Sequence, residues 1–158
     1  MINTIDGILN IFKSIADRHY MINDFGSGPS SNIGADRALK FPYLWVEYIP
    51  NSVILSQNAN PIATYSFDIL VMDKINKGDT NYQDCMSDTD AIMNTVLIEL
   101  SKASYIREKR MNFFGTITKS PAQQITDDNV NGWVTTVNVQ MPLSFTECSI
   151  PINPCTDC

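Results

Sequence analysis

Three of the four cysteines, Cys148, Cys155 and Cys158, fall within the last eleven residues, and Cys155-Thr-Asp-Cys158 has the spacing of a metal-binding or redox pair. Two thiols so placed can share a zinc ion or cycle between dithiol and disulfide. A closed zinc site wants four nitrogen or sulfur ligands, usually as two close pairs. No second pair mirrors this one, and the single histidine, His19, lies in the N-terminal helical pattern. A redox Cys-x-x-Cys works at a strand-to-helix junction, which a chain end cannot supply. The expectation is a tail of reduced thiols with no metal or cofactor, in which Cys155 and Cys158 can pair on oxidation. A small metal or redox protein built on Cys148, Cys155 and Cys158 is the remotest reading.

Other reactive patterns are sought in the same way. A hydrolase needs a base beside its nucleophile. His19 falls on or beside the apolar stripe of a helix, where a packing role is the simpler expectation. Ser27 and Ser30 lie in a glycine-containing loop, but Gly26-Ser-Gly28 lacks the Gly-x-Ser-x-Gly spacing. Neither the phosphate loop nor the dinucleotide fingerprint occurs. Asp79, Asp84, Asp88 and Asp90 form an acidic stretch without the alternate ligands, central glycine and closing Glu of a calcium loop. Lys102, Arg107, Lys109 and Arg110 form one basic cluster, read as a solvated helix end and strand start. No catalytic, cofactor-binding or metal residue is assigned, and the chain is read as not an enzyme.

Composition narrows the class further. The 158 residues fit one domain, and 44% hydrophobic content is enough to build a core. Eleven Lys and Arg against 17 Asp and Glu disfavour a general grip on nucleic acid phosphates. No uncharged apolar run approaches the length needed to span a bilayer. The start, Met1–Asp17, lacks a basic leader and carries Asp6 within its apolar pattern, so no secretory signal is expected there.

The elements that would position these residues follow from periodicity. Asn3 or Thr4 can cap a helix whose buried stripe is Ile5, Ile8, Leu9, Phe12, Ile15, Ala16 and His19. Phe25-Gly-Ser-Gly-Pro-Ser-Ser31 ends it and opens a loop to about Leu39. Phe41–Tyr48 reads as a strand with Pro42 at its start, and Ala63–Met72 alternates as a second strand with Tyr65, Phe67, Ile69 and Val71 facing one way. The two form a long hairpin with Asn51–Asn60 at its tip, and Pro50–Pro61 reads as a polar connection holding one apolar island, Val53-Ile54-Leu55. Asp73–Asp84 reads as a loop turning at Lys77-Gly78-Asp79. Ser87-Asp-Thr-Asp90 then resembles a capping box opening a second helix with Ile92, Val96, Leu97 and Leu100 in its core stripe and Met93 beside it. Arg107–Thr118 reads as a strand, Lys119–Asn131 as a loop, and Trp133–Met141 as an alternating strand ended by Pro142. Phe113 and Phe114 cannot share one face of their strand unless a bulge intervenes. The fold class is α+β, an antiparallel sheet with a long hairpin flanked by two helices in the order α-β-β-α-β-β. It forms a single domain over residues 1–148, followed by a Pro- and Cys-containing tail over 149–158.

An acidic domain with no catalytic set but with edge strands points toward assembly, because an edge offers free N–H and C=O groups to a neighbour. Val53-Ile54-Leu55 is either a contact or folded back on its own sheet.

The pattern of elements and aromatic positions resembles a known group. The N-terminal amphipathic helix precedes Phe41-Pro-Tyr-Leu-Trp-Val-Glu47 and then Tyr65-Ser-Phe-Asp-Ile-Leu-Val-Met-Asp73. The Ser87-Asp-Thr helix follows, with Gly132-Trp133 and Cys148 behind it. Over residues 1–150 the chain resembles tail-terminator, tail-completion and neck (head–tail connector) proteins of tailed bacteriophages. The nearest likeness is to small structural proteins of phages of gut Bacteroidetes, the crAss-like group included. That resemblance implies a homo-oligomeric ring, hexameric or dodecameric, in the virion. It implies neighbouring portal, neck or tail proteins, and a channel that DNA passes through without specific binding. It carries no catalytic residues over. The Leu44–Met72 hairpin becomes an inter-subunit or inter-ring arm, and the helices cover the sheet. The Cys148–Cys158 segment lies outside any general pattern of that group. An acidic lumen would repel phosphates and keep DNA free to slide. A ring interface is heterologous, and Lys102–Arg110 against a neighbour's Asp79–Asp90 is one pairing that would serve. A monomeric or dimeric protein-binding module is the alternative.

Overall fold

Thr4 starts the first helix, because its hydroxyl accepts the Gly7 N–H at 3.1 Å and satisfies a donor that the helix itself cannot. The computed structural model describes residues 4–33, 39–57, 60–76, 78, 80–102, 112–114, 117–125 and 129–142. Helix α1, Ile5–Arg18, has Asp6 in its first turn and Arg18 in its last, the arrangement its dipole favours. Ile8, Phe12, Ile15 and Ala16 of the expected stripe are buried, Ile5 and Leu9 are half-buried, and Ile11, outside the stripe, is buried as well. His19 departs from that stripe: it is the C-cap residue, outside the helix.

Helix α2, Tyr82–Leu100, begins before the expected Ser87. Asn81 sets that start in an unexpected way. Its Oδ1 accepts the Asn76 N–H at 2.8 Å and its Nδ2 donates to the Lys74 carbonyl at 3.2 Å, so the side chain ties the helix start to the preceding strand. Ser87-Asp-Thr-Asp90 therefore lies within the helix, where the buried Thr89 hydroxyl donates to the Cys85 carbonyl one turn back at 2.6 Å.

The fold is α+β, with six strands in one sheet among the described residues. They are β1 (Asp24–Ser27), β2 (Tyr43–Gln57), β3 (Asn60–Lys74), β4 (Asn112–Phe114), β5 (Lys119–Ile125) and β6 (Asn129–Pro142). Their order is β1-β2-β3-β6, with β4 and β5 pairing in turn along the outer side of β6. Among the described residues, β1 and β2 are parallel and the other pairs are antiparallel. The chain thus leaves β3 through α2, returns two strands away, and doubles back through β6 to fill the gap.

Three expectations are corrected here. The loop after α1 contains β1, which Gly26 makes possible: a Cβ there would stand 2.3 Å from the Trp45 ring. The Trp45 Nε1–H donates to the Gly28 carbonyl at 2.8 Å, fixing the indole over this strand. Pro50–Pro61 is mostly paired strand, running to Gln57 opposite Asn60. Lys119–Asn131 includes β5 and the start of β6. The sheet order is therefore richer than α-β-β-α-β-β, by β1 and by β5, each within a stretch expected to be a loop.

Alternation sorts the two sheet faces. One face carries Leu44, Val46, Phe67, Ile69, Val71, Val137, Val139 and Met141, all buried against both helices. Phe12 and Phe67 meet there with ring centroids 5.9 Å apart. The other face has a smaller cluster of Ile33, Tyr43, Trp45, Met72 and Val130, near the β1 end only. Gly132 is required where β6 crosses β3, because a Cβ would lie 1.9 Å from the Val71 carbonyl oxygen.

Candidate functional site

The reactive residues do not converge. Cys148, Cys155, Cys158, Asp79, Arg107, Lys109 and Arg110 lie outside the described residues. Cys85 is buried, and its thiol faces the carbonyl oxygens of Asn131 at 3.5 Å and Asp73 at 3.7 Å. Burial, reinforced by the Asp73 carboxylate, pushes this thiol up to about 11, so it stays a packed neutral group. Burial likewise raises Asp73, with Asp88 adding to the rise and the Lys74 N–H opposing it. Among the described residues, no three His, Cys, Asp or Glu side chains gather as a metal ion would need.

Ser30 and Asp90 of these patterns have structural partners. Ser30 gives its backbone N–H to Glu47 Oε2 at 3.0 Å. Asp90 pairs with Lys119, which also donates to Asn94 Oδ1 at 2.7 Å and stands 5.7 Å from the Trp133 ring centre. The Trp133 Nε1–H donates to the Met86 carbonyl at 2.9 Å. This group joins α2 to β5 and β6. Lys102 pairs with Glu99 within its own helix end.

His19 lies in a cleft of about 310 Å³ between the C-terminal ends of α1 and α2, with Arg18, Tyr20, Thr95, Glu99 and Lys102 among its walls. Its Nδ1 accepts the Met21 N–H at 3.2 Å. Tyr20 stacks on it with 5.5 Å between centroids and is 91% exposed. Desolvation lowers the His19 pKa, with the Glu99 carboxylate opposing.

The feature that stands apart is a strand edge. β1 pairs with β2 only from Tyr43 to Val46. Beyond Val46, the Gly28 N–H reaches the Val46 carbonyl and the chain then turns into a short 3₁₀ segment at Ser30–Asn32. Among the described residues, no strand pairs with the outer side of β2 from Glu47 to Gln57. On the inner side, among the described residues, β3 meets β6 from Ile62 onward, so the end of the β2–β3 hairpin reaches past that pairing. The β2–β3 register shifts between Ile49 and Val53, leaving two more residues on β2 than on β3, and Pro50 sits at that bulge. A proline within a paired strand is tolerated where a bulge or an edge needs no N–H from it.

The chain matches no family model, and no curated protein matches its sequence.

Next to this edge, the open part of the sheet face is polar and acidic. Glu47 stands directly across from Asp68, which in turn faces Thr136. The Thr136 hydroxyl donates to Asp68 Oδ1 at 2.5 Å and Ser66 donates to Asn138 Oδ1 at 2.7 Å. Among the described residues, no helix is long and apolar enough to cross a membrane. The sequence marks the hairpin as an arm through its island Val53-Ile54-Leu55, whose backbone pairs with Thr64, Ala63 and Ile62. It does not show which edge β1 leaves open, because β1 itself hides in a stretch of turn-forming residues.

Proposed function

We propose that this chain is a non-enzymatic structural subunit that works by assembling with copies of itself into a ring. Its place is the neck or tail end of a tailed-phage virion, assembled in the host bacterial cytoplasm, with portal, neck or tail proteins as neighbours. The single observation that carries the reading is the β2 edge from Glu47 to Gln57, which no strand covers among the described residues, on a hairpin that reaches past the β6 pairing described there. An unpaired edge of that length gains main-chain hydrogen bonds when another chain aligns with it. The acidic row at Glu47 and Asp68 supports the second half of the reading, since a surface bordering a DNA channel works best when it repels phosphates. Asp90 is already engaged by Lys119, so an ionic contact between neighbours would draw on Asp84 and Asp88. A small binding module is the second reading, favoured by Tyr20 and by Ile98, which is 62% exposed.

Native mass spectrometry and negative-stain imaging of the purified protein, alone and mixed with particles lacking it, test this. Closed rings, or incorporation into particles at a fixed copy number, are expected. A species that stays small and never joins particles would overturn the reading.

A further inference from the structure

We propose that His19 is a pH-operated latch on the turn that leads from α1 into β1. Two backbone hydrogen bonds converge on this residue. Its N–H donates to the Ala16 carbonyl at 3.1 Å, and its own carbonyl accepts the Ile22 N–H at 3.1 Å. Its ring adds a third, because Nδ1 accepts the Met21 N–H at 3.2 Å. That ring bond requires a lone pair on Nδ1, which places the proton of the neutral imidazole on Nε2.

Protonation puts a hydrogen on Nδ1, where it opposes the Met21 N–H. The imidazolium must then turn away, leaving a backbone donor without its partner. The cleft offers it somewhere to go. Glu99 on α2 is the anion facing it, and Lys102 already holds that carboxylate. Arg18 and Lys102 are the cations around it, and the Tyr20 ring lies flat against it. The turn leads to Asn23, whose N–H donates to the Pro42 carbonyl at 2.8 Å, and then to the strand that covers the first residues of β2. The latch is independent of the ring reading, since its groups all belong to one chain.

The test is amide hydrogen exchange, expressed as protection factors, at about pH 7.5 and at a pH below the His19 midpoint that NMR locates, since desolvation sets that midpoint below the ordinary histidine value. NMR titration of the His19 ring runs alongside. The expected result is a several-fold loss of protection at Met21 and Ile22 on acidification, following the His19 titration. His19→Asn supplies the control: its Oδ1 occupies the place of Nδ1, accepts the same N–H and does not titrate. This variant should keep the turn protected at both pH values. Unchanged protection in the natural chain would overturn the proposal, as would the same acid response in His19→Asn.

Discussion

The two hairpins of the sheet are built alike and held differently. In each, the first strand is interrupted and the second is continuous: β2 shifts register at Pro50, and β4 and β5 together line one uninterrupted β6. The β5–β6 hairpin is gripped from above, through Lys119 to Asp90 and Asn94 and through Trp133 to the Met86 carbonyl. The β2–β3 hairpin shares that support only in its lower half, where Leu44, Val46, Phe67, Ile69 and Val71 sit under the helices. Its outer half has β3 as the one neighbour of β2 among the described residues. One hairpin is thus held on both its strands, and half of the other has fewer supports among the described residues.

The contrast fails if the gripped hairpin turns out to be dispensable. Gly132→Val drives side-chain atoms into the Val71 carbonyl and should cost about 3 kcal/mol, since neither backbone can give way. Urea unfolding followed by circular dichroism would show it. A midpoint equal to that of the natural chain would mean that β6 and β3 are less closely packed than described.

A medium effect comes from alkali. The Cys85 thiol lies between α2 and β6, and burial raises it to about 11 from an ordinary value of 9.0. Burial also pushes Tyr43 up to about 12. A group whose pKa is raised on folding gives its full stabilisation below the unfolded value and loses it as pH climbs to the folded one. Stability should therefore decline from pH 9 toward about 11. Cys85→Ala should flatten the first part of that decline, because it removes the thiolate while Tyr43 remains. An equally steep decline in this variant would remove Cys85 from the account.

The smallest change in stability is expected in the free arm. Val53→Lys with Leu55→Lys places two charges on one side of a strand segment that has one neighbouring strand among the described residues. The unfolding free energy from urea titration should change by no more than about 0.5 kcal/mol, while ring or particle assembly is lost. If assembly survives in sedimentation and imaging, the arm is not the contact.

How far the sequence reveals all this depends on burial. The α1 stripe and the alternation of Tyr65–Val71 and Trp133–Met141 are legible because one side of each element must leave water. The outer hairpin and β5 are not. Asn51, Ser52, Ser56 and Gln57 in one, and Lys119, Ser120, Pro121, Gln123 and Gln124 in the other, have the composition of loops. Strands at a margin are held by backbone hydrogen bonds, which any residue but proline can make, so side-chain pattern need not announce them. β1 is concealed for the same reason, within a run of glycine and serine. The start of α2 is missed because Asn81 spends its amide on β3 where a cap was sought at Ser87. At the site, sequence marks the hairpin but not its open side, and it treats His19 as packing where the ring bonds to the backbone.

The two tryptophans have a practical consequence. Trp45 lies over Gly26 on one face of the sheet, and Trp133 lies against α2 on the other. Replacing either with phenylalanine would leave a single tryptophan, excited selectively at the red edge of its absorption, reporting on one layer. Emission from each could then be followed during unfolding to learn whether the two layers come apart together or in sequence.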